Sequence, residues 1–110
     1  MGVGVGSQLR RGVVEYCILG LISSQPMYGW QLAEQLQRVG LISSIGTLYP
    51  TLTRLRERGA IRVTESRQGV GPVRKYYAPT AKGEAELEHF RNDWSQFTHQ
   101  VSVILAKEQP

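Results

Sequence analysis

The sequence predicts a mainly α-helical fold that contains one small β-hairpin and ends in a single long helix. Three observations lead to this prediction. Apolar residues recur at three- and four-residue steps in three successive segments, which is the period of an amphipathic helix. A later segment alternates apolar and polar residues on both sides of a glycine-rich turn, as the strands of a hairpin do. The last segment repeats its apolar residues in heptad fashion.

Two helices separated by a break are predicted in the N-terminal part. The glycine-rich residues 1–7 are expected to form a flexible N-terminus, and the apolar positions from Gln8 to Ser23 predict a largely buried helix. Pro26 ends this helix, because proline disfavours helical backbone at the preceding residue. A second helix is predicted from about Tyr28 to Val39, before Gly40 as the C-terminal capping residue.

Pro50 fixes the start of the third helix. Proline is tolerated in the first helical turn, so the helix is predicted to begin near Gly46 or Thr47 and to end at Gly59. Ser44 or Thr47 is the expected N-terminal cap. One face carries the apolar side chains of Leu48, Leu52 and Leu55. A second face without large apolar side chains carries Thr47, Thr51, Arg54 and Arg58.

The hairpin and the long helix follow. Alternation over residues 61–64 predicts a strand, GVGP predicts a turn, and residues 73–78 predict the returning strand. Thr80 is the expected cap of the last helix. That helix carries a seam of apolar residues spaced by three and four: Leu87, Phe90, Trp94, Phe97, Val101 and Ile104. The seam predicts pairing with the same helix of a second copy, and packing against the first helix is the alternative.

The positive charge is concentrated in one block. The chain has a net charge of +4, and residues 54–75 hold seven basic residues against two acidic ones, an excess of five. A charge excess confined to a helix and a hairpin indicates an anionic partner. For any single arginine of this block, a solvated charged surface is the alternative interpretation.

Other classes of protein are poorly supported. The single Cys17 lies in an apolar run and is interpreted as a buried side chain in a reducing compartment. No apolar stretch approaches the ~20 residues that span a bilayer, and no secretion signal is visible, so a soluble cytoplasmic protein without membrane contact is expected. His89 and His99 lie about 15 Å apart along one helix, too far to share a metal ion. We therefore expect no enzyme activity, no catalytic residue, no metal and no cofactor.

The order of three helices and a basic hairpin is typical of a winged helix-turn-helix domain, which places its third helix in the DNA major groove. Residues 8–79 are predicted to form this DNA-binding domain and residues 80–110 a C-terminal dimerisation helix. Hydroxyls, a tyrosine and basic side chains suit contacts with phosphates and base edges. The predicted DNA-binding residues are Ser44, Thr47, Tyr49, Thr51, Arg54 and Arg58 on the helix, and Arg67, Arg74 and Lys75 on the hairpin.

Three stretches, PMYGWQLAEQL, GTLYPTLTRLRERGAI and RKYYAPTAKGEAEL, resemble the PadR family of transcriptional regulators. The resemblance runs from about Leu9 to Ile104, and the single helix after the wing is similar to the short subgroup of the family. It implies a winged-helix DNA-binding domain, a dimerising last helix and, usually, repression of a nearby promoter. It also implies DNA contacts by Thr47, Tyr49, Pro50 and Arg54 and by the wing residues Arg74 and Lys75.

The resulting hypothesis is a homodimeric repressor that binds a pseudo-palindromic operator in double-stranded DNA. The resemblance further implies that a small aromatic or hydrophobic effector lowers DNA affinity, with Trp94, Phe97 and Phe90 as its contacts, although the same residues are also explained as interface side chains. The alternative function is a winged-helix adaptor that binds proteins and not DNA. Salt dependence separates the two, because only binding to phosphates should weaken strongly with salt.

Overall fold

The computed structural model describes residues 5–66 and 71–106. Within these ranges the chain forms four α-helices and three short strands. The helices are α1 (Val5–Ser24), α2 (Gly29–Arg38), α3 (Leu48–Glu57) and α4 (Ala81–Ala106), and the strands are β1 (Met27–Tyr28), β2 (Ile61–Ser66) and β3 (Arg74–Pro79). A 3-10 turn at Ile45–Thr47 leads into α3. The predicted class, mainly helical with a small hairpin and a long last helix, is confirmed.

One apolar core holds α1, α2, α3 and the sheet together. Its largest fully buried side chains are Ile18, Leu19, Ile22, Leu32, Leu36, Leu48, Leu52 and Leu55. The predicted apolar face of the third helix is therefore confirmed, and it packs inward against α1 and α2. Burial of this kind contributes about 1.5–3 kcal/mol per large aliphatic side chain, so the core fixes the orientation of α3.

The helix boundaries follow the predicted breaks. Helix α1 begins at Val5, three residues before the predicted start at Gln8. The predicted stops after the second and third helices are confirmed by Gly40, with a φ of 82°, and Gly59, with a φ of 79°. Both glycines adopt the left-handed conformation that ends helices and that other residues rarely adopt.

A third strand was not predicted from the sequence. Strand β1 pairs antiparallel with β3, so that Met27 lies opposite Tyr77 and Tyr28 opposite Tyr76, and the sheet order is β1-β3-β2. Two residues are too few for an alternating pattern to appear. The Tyr28 amide also donates to Oε1 of Gln31 at 3.0 Å, so the strand passes directly into α2.

The start of α3 differs in detail from the prediction. Ser44 precedes the 3-10 turn and Thr47 precedes α3, as expected for capping positions, but neither side chain caps a helix. The Thr47 hydroxyl instead donates to the carbonyl oxygen of Ser44 at 2.8 Å. The 3-10 turn brings these two groups together, and the hydroxyl is used within the turn.

Helix α4 is joined to the end of α3 by a compact set of contacts. The Thr80 hydroxyl accepts a hydrogen bond from the Gly83 amide at 3.1 Å, which confirms Thr80 as the cap, and donates to the Gly59 carbonyl at 2.5 Å. Gly83 is buried against the backbone of Ala60, where an added Cβ would lie 2.0 Å from the carbonyl oxygen. Only a glycine allows α4 to cross this closely.

Beyond this crossing, α4 extends away from the domain. A helix of 26 residues is about 39 Å long at 1.5 Å per residue, and the molecule measures 64 Å along its longest axis. Only Gly83 and Leu87 of α4 are buried. Among residues 5–66 and 71–106, no helix has the length and apolar character needed to cross a membrane.

We predict that Gly83→Ala destabilises the protein by about 1–3 kcal/mol or more, because the added methyl group overlaps the Ala60 carbonyl and α4 must shift. Gly20→Ala is the matched control: nothing lies within 4 Å of its added Cβ, and alanine is favoured over glycine inside a helix by about 0.5–1 kcal/mol. Urea denaturation measures both. Equal stability of the two variants would contradict the close crossing.

Candidate nucleic-acid interface

The outward face of α3 lies opposite its three buried leucines. Pro50, Thr53 and Glu57 are exposed there, and Tyr49, which retains 47% of its accessible surface, is exposed on the side toward the wing. At about 100° of rotation per residue, the predicted face of Thr47, Thr51, Arg54 and Arg58 is centred about 90° from this direction. The predicted face therefore lies along one flank of the helix, on the side of α1, and the exposed centre is formed by other residues.

Thr51, one of the predicted DNA-binding residues, is largely covered in this structure. Its side chain is buried, with 7% of its surface accessible, and its hydroxyl accepts a hydrogen bond from Nη2 of Arg54 at 3.2 Å. The side chain sits at the edge of the leucine face because it follows Leu48 by less than one helical turn. Thr51 thus supports Arg54 from beneath and is not open to a ligand.

Arg58, also in the predicted set, is paired with two carboxylates from other helices. Its Nη1 lies 2.5 Å from Oε1 of Glu15 in α1, and its Nη2 lies 2.9 Å from Oε1 of Glu86 in α4. The side chain has 32% of its surface accessible. Arg58 therefore joins α3 to α1 and α4, and its charge is balanced inside the protein.

Two further basic residues complete this ion-pair cluster. Arg54 donates from Nε to Oε2 of Glu15 at 3.2 Å, and Lys82 lies 3.1 Å from Oε2 of Glu86. Unlike Arg58, Arg54 keeps 54% of its side-chain surface accessible. Arg54 is thus the one residue of the cluster that lies on the flank of α3 and also faces solvent.

Electrostatic interactions favour the charged forms of Glu15, Glu86 and Arg58. Burial opposes ionisation of Glu15 and Glu86, but hydrogen bonds from Arg58 and from Arg54 or Lys82 outweigh it, so the pKa of each carboxyl falls below its ordinary value of 4.5. Burial likewise opposes the charge of Arg58, and the two carboxylates outweigh that effect and raise the pKa of its guanidinium. Glu15, Glu86 and Arg58 are therefore charged near neutral pH.

The wing presents basic side chains beside the exposed face of α3. Arg74 and Lys75 are both exposed at the start of β3. The Arg74 guanidinium lies 4.7 Å from the centre of the Tyr28 ring, which orients it by a cation–π contact. Lys75 pairs in register with Glu65 of β2, whose carboxylate offsets part of the local charge. Arg67, also predicted to contact DNA, lies outside the described residues.

The sequence reasoning missed two exposed residues of α3. Thr53 lies on the outward face, about 45° from the direction opposite the leucines. Arg56 lies on the flank toward the wing; burial raises the pKa of Tyr77, and the charge of Arg56 opposes this only in part. The leucine spacing contained the necessary signal, because the direction opposite Leu48, Leu52 and Leu55 falls between Pro50 and Glu57 and near Thr53, whereas the prediction chose the positions where threonine and arginine repeat.

The far end of α4 carries a second candidate surface. Leu87 is in the core and Phe90 stacks on Tyr16 of α1 with ring centres 4.3 Å apart, so these two seam residues pack within the chain. The other four remain largely exposed: Trp94 at 44%, Phe97 at 52%, Val101 at 38% and Ile104 at 62%. Packing against α1 thus explains only the beginning of the seam.

An apolar groove lies between α1 and α4 at this point. Its volume is about 360 Å³, and it is lined by Leu9, Gly12, Val13, Phe90, Asp93, Trp94 and Phe97. Trp94 lies 5.7 Å from Phe90 and 6.4 Å from Phe97, measured between ring centres. The exposed aromatic row on α4 is therefore continuous with a groove that α1 closes on one side.

Comparison with known proteins gives one consistent family. The model of the "Transcriptional regulator PadR-like family" matches residues 18–89. The transcriptional regulator Rv3488 of Mycobacterium tuberculosis is 34% identical over 94 residues, which cover 86% of this chain and 87% of that protein. A PadR-like transcriptional regulator from Bacillus cereus has a similar structure, with a TM-score of 0.85, 38% identity, and coverage of 91% of this chain and 98% of that chain.

A structure that contains DNA is also similar. Bacillus subtilis PadR, solved in complex with operator DNA, matches with a TM-score of 0.62 and 27% identity. The match covers 71% of this chain and 46% of that chain. The two proteins therefore share a fold over the matched part, and the rest of the Bacillus subtilis chain has no counterpart in this match.

We predict that Arg58→Met lowers the free energy of unfolding by about 1–3 kcal/mol at pH 7, because two half-buried carboxylates lose their main partner. This loss of stability should become smaller as the pH is lowered. Both carboxyls have pKa values lowered by folding, so their contribution is present above about pH 4.5 and disappears as the pH falls through the lowered values.

Arg38→Met is the control for this prediction. Arg38 pairs with Glu34 at 3.9 Å, and the two side chains are 66% and 48% exposed, so the pair should contribute little. Urea titrations between pH 7 and pH 3 compare the variants with the wild type. A destabilisation by Arg58→Met that stays constant over this range would contradict the proposed origin.

Proposed function

Because the chain belongs to the PadR-like family of transcriptional regulators, we propose that it is a homodimeric repressor that binds operator DNA with α3 and the wing formed by β2 and β3. The observation that carries the proposal is the exposed face of Tyr49, Pro50 and Thr53 next to the basic wing. A helix of this kind fits the major groove, and cations beside it reach the phosphates. Regulators of this family act by binding, not by catalysis.

We propose a DNA-binding set chosen from the exposed residues. Tyr49, Pro50 and Thr53 would face base edges, and Ser44 and Thr47 would lie near the phosphates at the start of α3. Arg56 and Arg54 flank this face on its two sides, the former toward the wing and the latter toward α1. Arg74 and Lys75 would hold the adjacent phosphates, together with Arg67. Thr51 and Arg58 would act indirectly, by fixing the position of α3.

We predict that Arg54→Ala and Lys75→Ala each weaken binding to an operator duplex and that each lowers the slope of log K against log salt by about one unit. Each lost phosphate contact releases about one counterion fewer. Arg91→Ala is the control, since Arg91 is an exposed arginine on α4, 3.9 Å from Glu88 and remote from α3 in sequence and role.

The assay is a mobility shift at several salt concentrations, with a duplex recovered by selection from genomic DNA. Unchanged affinity and slope in both variants would remove these residues from the interface. A folded wild-type protein that binds no duplex at low salt would instead favour the adaptor function.

The exposed part of the α4 seam supports the dimer. Trp94, Phe97, Val101 and Ile104 form an apolar row on a helix that projects from its own domain. Such a row on a free helix is stabilised when a second copy covers it, and a two-fold axis would place the same side chains against each other. We accordingly assign DNA binding to residues 8–79 and dimerisation to residues 80–110.

We predict that Trp94→Asp combined with Phe97→Asp converts dimers to monomers, because two charges would be buried in an apolar interface. Asn92→Asp combined with Ser95→Asp is the control, since both residues are exposed on the opposite side of α4. Sedimentation or size exclusion with light scattering measures the mass. Dimers that persist in the first variant would exclude the seam as the interface.

Repression relieved by an effector completes the proposal. The groove of about 360 Å³ beside Trp94 and Phe97 is of the size and apolar character of a small-ligand site. A planar aromatic compound could stack on these rings and alter how two copies of α4 pack. Such a compound should release the duplex from the wild type and not from Trp94→Leu. Equal release from both proteins would place its site elsewhere.

A further inference from the structure

We propose that Trp30 of α2 is a DNA-contacting residue, which binds the sugar–phosphate strand in a cleft between α2, α3 and the wing. This inference rests on the proposed DNA-binding function and extends it to a part of the fold that neither the third helix nor the wing contains. Three properties of the cleft support this contact: its position, its chemistry and the exposure of the indole ring.

The cleft adjoins the exposed face of α3. It has a volume of about 310 Å³, and its lining comes from five elements: Tyr28 from β1, Gly29 and Trp30 from α2, Ile45 from the 3-10 turn, Tyr49 from α3, and Arg74, Lys75 and Tyr77 from β3. Tyr49 belongs both to this cleft and to the exposed surface of α3. A DNA strand that runs along α3 toward the wing would therefore pass over the cleft.

The chemistry of the cleft suits an anion. None of the residues that line it carries a carboxylate, whereas its side chains offer two cationic groups, three phenolic hydroxyls and one indole N–H. Burial, and the neighbouring Tyr49, raise the pKa of Tyr77, so its hydroxyl remains a proton donor at neutral pH. Arg74 is held in place over the ring of Tyr28. A phosphodiester, which offers only acceptors, complements this set.

Packing in the core does not explain a tryptophan at position 30. Its side chain is 58% exposed, while α2 packs inward through Leu32, Ala33 and Leu36. Within residues 5–66 and 71–106, no protein group accepts a hydrogen bond from the indole Nε1, and the exposed ring leaves this N–H accessible to solvent or to a ligand. Buried or bound tryptophans normally satisfy this group. A phosphate oxygen in the cleft would accept from Nε1, and the ring would pack on the adjoining deoxyribose.

The occupant is a DNA strand and not a protein segment, for two reasons. The cleft is continuous with the face that we propose to read DNA, because Tyr49 is shared. Its two basic residues, with no lining acid, match a polyanion by charge. An apolar peptide would leave these cations unpaired, and a second copy of the chain is more readily accommodated at the apolar seam of α4.

The test compares Trp30→Phe and Trp30→Ala with the wild type and with Gln35→Ala, an exposed residue of the same helix outside the cleft. A fluorescein-labelled duplex of two to three helical turns, recovered by genomic selection, is the probe. Trp30→Phe should weaken binding about tenfold, because one hydrogen bond to a charged group is lost, and Trp30→Ala should weaken it at least as much. Gln35→Ala should bind like the wild type.

The salt slope separates this contact from a structural effect. The indole is uncharged, so both Trp30 variants should keep the wild-type slope, whereas Lys75→Ala should lower it by about one unit. Thermal unfolding should show that both Trp30 variants are folded. Addition of the duplex should also change the tryptophan emission of the wild type more than that of Trp30→Phe, in which only Trp94 emits.

Each outcome of these measurements either supports or overturns the Trp30 contact. Wild-type affinity in both Trp30 variants, with weaker binding by Lys75→Ala, would overturn the Trp30 contact and leave the proposed function intact. Absence of binding by the wild type at low salt would overturn both. A reduced salt slope in Trp30→Phe would also overturn the contact, since it would indicate that the substitution displaces the neighbouring cations.

Discussion

The ion-pair cluster around Arg58 is the constraint on which the arrangement of this protein depends. One guanidinium at the end of α3 reaches Glu15 in α1 and Glu86 in α4, so a single side chain fixes three helices relative to one another. Half-buried carboxylates require such a partner, because an ion left unpaired away from water is costly. The pKa values of both carboxyls, lowered despite burial, show that the pairing outweighs desolvation.

The cluster also ties α3 to the first turns of the long helix α4. Arg58 binds Glu86 at the side of α4, Gly83 packs on Ala60, and Thr80 bonds to the Gly59 carbonyl. All of these contacts lie within the first two turns of α4, next to the end of α3. The direction in which α4 projects therefore determines the direction of α3, and any partner that reorients α4 must turn the exposed face of α3 with it.

Local signals made much of this fold predictable, and long-range contacts account for the rest. The leucine face of α3, the glycine stops at Gly40 and Gly59 and the cap at Thr80 depend on neighbours in sequence, so they could be read directly. Strand β1 exists only because β3 pairs with it, and the pairing of Arg58 requires residues 43 and 28 positions away. The count of charges over residues 54–75 treated Arg58 as available to an anionic partner. Glu15 and Glu86, which balance its charge, lie outside these residues.

Arg54 differs from Arg58 in how strongly the cluster holds it. It shares Glu15 with Arg58, yet more than half of its side chain is exposed. Arg58 by itself is enough to keep the Glu15 carboxylate paired, with Nη1 2.5 Å from Oε1. Arg54 could therefore exchange its bond to Glu15 for one to a phosphate without leaving a buried charge uncompensated. Arg58 has no such freedom, since its departure would strand two carboxylates. Two arginines four positions apart on one helix thus differ in role: Arg58 is a fixed support, whereas Arg54 is exposed and would be able to exchange its partner.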